Sequence, residues 1–177
     1  NEFVGCELVW VRIATRKDFQ AWRQLKHFRS QPAVVMRGLK TALIELARAA
    51  APDGPGANRS RLAACRRSLR GLVRAHHVSL RADETGWFLA AQGWAYTQCP
   101  RELVEWMSDW RTRRTLTPWM LYDYVQALMT TGRHRDVAEV ARHAVERLPM
   151  DDATRLHALW LSLAEAIAGH EQVARDV

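Results

Sequence analysis

Cysteine is scarce in this sequence, and its three copies, Cys6, Cys65 and Cys99, show no Cys-x-x-Cys spacing. An odd number without that spacing argues against a disulfide framework or a structural zinc site and leads us to expect a reducing, cytoplasmic environment. No run of about 18 apolar residues occurs, so no helix is expected to cross a membrane. Alternation of apolar and polar residues is confined to a short stretch from Leu8 to Ile13, which leaves little of the chain with a strand pattern. Chelating histidine pairs are missing as well: His76 and His77 are adjacent, and His134 and His143 fall on nearly opposite sides of a helix. His134-Arg135-Asp136 copies the start of a kinase catalytic loop, but Ala141 stands where the loop needs its asparagine, and no Gly-rich phosphate loop or Asp-Phe-Gly triplet occurs. With no nucleophile, base and orienting group placed together, the expectation is a protein that is not an enzyme and uses no metal or cofactor.

What the chain does have is enough apolar material for a substantial core, 48% of its 177 residues, with 25% charged. Asn1 in the first position and an end at Val177 inside a helical pattern suggest a piece of a longer protein. Lys and Arg total 26 against 19 acids, a net charge of +7. Seven arginines between Arg59 and Arg81, with no acid among them, carry that whole excess. Arg59, Arg66, Arg70, Arg74 and Arg81 recur near helical spacing and could track the phosphates of a nucleic acid; a solvated face paired with acids elsewhere is the alternative.

Apolar residues recur at steps of three and four nearly throughout, so the fold class expected is all-α. Residues 1–51 hold N-terminal helices: Thr15 and Asp18 open one bearing Phe19, Trp22, Leu25 and Phe28, and Met36, Leu39, Leu43 and Leu46 mark the next. Pro52-Asp53-Gly54-Pro55-Gly56 cannot continue a helix and marks residues 52–58 as a flexible linker. Residues 59–82 read as a basic amphipathic helix with Leu62, Cys65, Leu69, Leu72, His76 and Leu80 turned inward. From residue 83 to 177 the punctuation becomes regular: Asp83 as a cap, Pro100 in a first turn, Thr117-Pro118 as cap and N1 proline, Gly132 and Gly169 at helix ends, and Pro149 with Asp151 between helices. Connections this short force neighbouring helices to lie antiparallel.

Three segments can be superimposed along this part of the chain, Gly93-Trp94-Ala95-Tyr96, Gln126-Ala127-Leu128-Met129 and Ala164-Glu165-Ala166-Ile167. The stretch from Pro118 to Pro149, with Ala127, Gly132, Ala144 and Pro149 in register, resembles the tetratricopeptide repeat, a helical hairpin of about 34 residues. Leu121, Val125, Val137 and Ala138 depart from the family pattern, so the repeat is divergent. The resemblance implies stacked antiparallel hairpins forming an α-solenoid, with units at about 86–117, 118–151 and 152–177, the last truncated within its second helix. It also implies a non-enzymatic protein- or peptide-binding scaffold whose first helices line a concave groove, here Trp119, Tyr122, Gln126 and Met129, with Trp87 and Trp94 from the preceding unit. Leu156, Leu159 and Leu163, the equivalents in the last unit, are apolar enough that another helix is expected to cover them. Eight tryptophans also fit a plain core role, because large aromatics are mostly buried.

Overall fold

A computed structural model describes residues 57–148 and 151–167, and every regular element among them is helical. The described chain falls into two compact units divided between Gln98 and Cys99. That division lies inside the stretch 86–117 that the repeat pattern assigns to one hairpin. Residues 1–56, with the two N-terminal helices and the Pro/Gly run expected there, lie outside the described residues, as do Pro149 and Gly169.

The first unit contains α1 (Ala57–Ala75), α2 (His77–Ala82) and α3 (Glu84–Tyr96). Helix α1 begins at Ala57, inside the segment 52–58 expected to be a linker. The basic helix expected over 59–82 is broken at His76, whose φ of −121° and ψ of 22° leave the helical region. Ser79 Oγ donates to the His76 carbonyl at 3.0 Å, a side-chain bond of the kind that bends helices. Leu69, Val73 and Leu80 supply the buried face, while Leu62, Cys65, Leu72 and His76 are half-buried. Asp83 caps α3 as its sequence position predicts, accepting from the Gly86 amide at 2.7 Å.

The second unit contains α4 (Pro100–Trp106), a 3₁₀ helix (Met107–Thr112), α5 (Pro118–Thr130), α6 (His134–Arg147) and α7 (Asp152–Ile167). The helix that Pro100 opens stops after seven residues, and the chain tightens into the 3₁₀ turn with Asp109 off helical geometry. That turn still brings Trp106 and Trp110, four apart, into the core together. Thr117 caps α5, accepting from the Met120 amide at 3.2 Å, and Pro118 sits in the first turn, where its missing N–H costs nothing. Gly132 ends the α5–α6 turn with φ of +76°, a left-handed conformation that L side chains resist. Asp151 caps α7 by accepting from the Thr154 amide at 2.9 Å.

Consecutive helices pack on one another from α4 to α7, and α7 lies against both α5 and α6. Buried alanines hold these contacts close: Ala127 on α5, Ala141 and Ala144 on α6, and Ala153 on α7. Around them Leu121, Val125, Leu128, Val137 and Val140 fill the space. No described helix is long and apolar enough to cross a membrane.

Candidate functional site

The two faces of α5 differ sharply. Leu121, Tyr124, Ala127 and Leu128 are buried, whereas Trp119 is 53% exposed and Tyr122, Gln126 and Met129 are half-buried. Residues 119, 122, 126 and 129 recur at steps of three, four and three, so they form one stripe along the helix. Trp119 meets Tyr122 edge-on with ring centroids 5.8 Å apart, and Tyr122 meets His157 of α7 edge-on at 6.2 Å. An aromatic line thus runs from the surface of α5 into the seam with α7.

His157 anchors that seam. It is fully buried, and its Nε2–H donates to the Pro118 carbonyl at 2.8 Å, tying the middle of α7 to the first turn of α5. Its Nδ1 is buried and has no hydrogen-bond partner among the described residues. Burial holds the imidazole below its ordinary value of 6.5, against the opposing pulls of the Pro118 carbonyl and Asp151. On α5 itself, burial pushes the Asp123 carboxyl up to about 6.

At the far end of the stripe, Met129 opens onto a pocket of about 370 Å³ shared by α5, α6 and α7. Val137, Ala138, Trp160, Leu163 and Ala164 give it an apolar lining. His134 and Arg135 of α6 stand exposed at its rim, with His134 Nδ1 3.3 Å from the Met129 sulfur. The buried Glu165 is ion-paired with Arg142. Apolar walls with few polar groups are what a binding pocket offers; Asp136, the residue of the kinase-like triplet, is instead paired with Arg133 at the start of α6.

Two of the six expected groove residues are misplaced. Trp87 and Trp94 are buried, because α3 is apolar over more than half of its circumference and is enclosed by its surroundings. One of the expected polyanion contacts is also engaged elsewhere. Arg66 is half-buried and donates from Nε to the Thr97 carbonyl at 2.6 Å and from Nη2 to the Gln98 carbonyl at 3.3 Å, closing the C-terminus of α3. Arg70 and Arg74 are exposed, as is Arg67, and Arg81 is half-buried; the side chain of Arg59 lies outside the described residues. Among the described residues, no three His, Cys, Asp or Glu side chains gather as metal ligands.

His157, Trp160 and the Arg142–Glu165 pair escaped the sequence reading. The steps from Ala153 to His157 to Leu161, four and four, mark the buried face of α7 and would have flagged the histidine. No such signal exists for the ion pair, whose members are 23 residues apart on different helices. No protein-family model, curated protein or solved structure matches this chain, so the meaning of the site rests on its own residues.

Proposed function

We propose that the protein is a non-enzymatic helical scaffold, similar to tetratricopeptide repeats, whose second unit binds a peptide segment of another protein in a cytoplasmic setting. The observation that carries this reading is the division of α5: its large apolar residues are buried, yet Trp119 stays at the surface in line with Tyr122, Gln126 and Met129. A rigid aromatic left in water at one end of the stripe, with a pocket bordered by Met129 at the other, is suited to anchoring an extended ligand at low entropic cost. The packing of α7 against both α5 and α6 is also what stacked hairpins require. Selection of a displayed random-peptide library on the chain tests this. We expect convergent sequences whose binding falls at least tenfold in Trp119→Ala and in Met129→Ala. Absence of any convergent binder, or binders indifferent to both substitutions, would overturn it.

A second reading, nucleic-acid binding by α1, is favoured by one observation. Arg67, Arg70 and Arg74 are all exposed at steps of three and four on a helix that contains no acid. Such a face would bind phosphates with steep salt dependence and little sequence preference. Lack of binding to mixed single- and double-stranded nucleic acid at low salt removes this reading.

A further inference from the structure

Asp152, Leu156, Leu159 and Leu163 recur along α7 at steps of four, three and four, so they share one face. The opposite face is settled: Ala153, Thr154, His157 and Leu161 are buried where α7 meets α5 and α6. The leucine face is not. Leu159 is 66% and Leu163 45% exposed, and Leu156 is half-buried. Spacing of four and three is the repeat by which one helix seats another along its length.

The two ends of this ridge carry opposite charge. Asp152 stands at the N-terminal end in an exposed pair with Arg155, 3.6 Å away, a contact that exchanges at little cost. At the C-terminal end, Leu163 shares its pocket with the exposed Arg135 of α6.

We propose that this ridge is a self-association surface, on which α7 pairs antiparallel with α7 of a second copy about a two-fold axis. A two-fold interface must be complementary to itself, and this face is. An axis between Leu156 and Leu159 sets Leu156 of each copy against Leu159 of the other. The same register brings Asp152 beside Leu163 of the second copy, next to that copy's Arg135. A parallel pairing would instead oppose Asp152 to Asp152. The chain carries both halves of the match on a single helix and its immediate neighbour, which no foreign helix needs to do. One face of a 16-residue helix, about 24 Å long, is at the small end for a specific interface, so the dimer is weak and concentration-dependent.

Sedimentation equilibrium of the full 177-residue chain from about 1 to 300 μM tests the proposal. The weight-average mass should rise from 20.3 kDa towards twice that value. Leu159→Lys should remain monomeric throughout with unchanged helicity. Asp152→Arg and Arg135→Asp should each weaken the dimer about tenfold, and the double variant should recover most of the loss, because the pair is only reversed. Trp119→Ala, at the end of the α5 stripe remote from the pocket that Leu163 and Arg135 line, should dimerise as the wild type does. A chain that stays monomeric, or a Leu159→Lys variant that still dimerises, overturns the surface. Failure of the double swap to recover affinity overturns the antiparallel pairing.

Discussion

Arg66 reaches across 31 residues of sequence to place its Nε 2.6 Å from the carbonyl oxygen of Thr97. Helix α3 ends there, with Thr97 Oγ1 donating back to the Gly93 carbonyl at 2.7 Å and Gln98 turning into left-handed geometry at φ of 54°. The last carbonyls of a helix lack internal partners and gather negative partial charge, so a guanidinium is a fitting donor for them. The most arginine-rich helix among the described residues therefore spends one of its charges on the fold.

Arg66 and Arg74 should accordingly respond differently to substitution. We expect Arg66→Gln to destabilise by about 1–2 kcal/mol through loss of a charge-assisted bond to a part-buried carbonyl. Arg74→Gln, at an exposed site, should change stability by less than about 0.5 kcal/mol. Urea unfolding of the two variants measures both; equal effects would mean that the Arg66 bond contributes nothing net.

Ala127 and Trp119 lie on the same helix with opposite burial. Ala127→Leu should cost roughly 1–3 kcal/mol, because added methylenes have no space where α5 meets its neighbours. Trp119→Ala should cost less, about 1 kcal/mol, since half the indole is already in water. Thermal melts compare the two directly, and a larger loss for Trp119→Ala would contradict the burial pattern.

His157 should make stability fall on the acid side. Its folded pKa lies below 6.5, so the unfolded chain takes up the proton first. The stabilisation is complete above pH 6.5 and is lost as the pH falls from there through the folded value. His157→Gln removes the titration while keeping a donor for Pro118, and should flatten this limb by at most about 1.4 kcal/mol per pH unit. Denaturation midpoints across the acid range report the slope.

Asp123 acts with the opposite sign. Its pKa is raised from 3.8 to about 6, so the folded chain holds the proton more tightly than the unfolded one, and stability falls as the pH rises through that window. Asp123→Asn imitates the protonated acid. It should raise Tm at a pH near 7.5 and leave it nearly unchanged at about pH 3 and below, where both states are largely protonated. A variant no more stable than the wild type near pH 7.5 would show that the carboxylate is adequately solvated when charged.

The places where the sequence was legible are those governed by local chemistry. Asp83, Thr117 and Pro118 begin their helices as expected, because a cap needs only a side-chain oxygen three residues from an amide and a first-turn proline needs no donor. Gly132 turns the chain because φ near +76° suits a residue without a side chain. The buried and open faces of α5 follow from a helical period of 3.6.

Trp87, Trp94 and Arg66 were misjudged for a common reason. Periodicity says which residues share a face, but it does not say whether a neighbour covers that face. In α3 apolar residues spread too widely round the helix for one side to stay open, and Arg66 found carbonyls 31 and 32 residues away. The break at His76 and the 3₁₀ turn after Trp106 were hidden as well, because one residue of non-helical backbone leaves the apolar spacing nearly intact.

By itself, the sequence determined that the described chain is helical, where several of its helices begin, and which residues of α5 point the same way; these depend on interactions within about four residues. Tertiary structure alone decided that Met129, Trp160 and Leu163 enclose a pocket, that His157 bonds to Pro118 across 39 residues, and that Leu159 is left in water. Those outcomes depend on which helix faces meet, and that is set by close packing of the whole unit rather than by any local pattern.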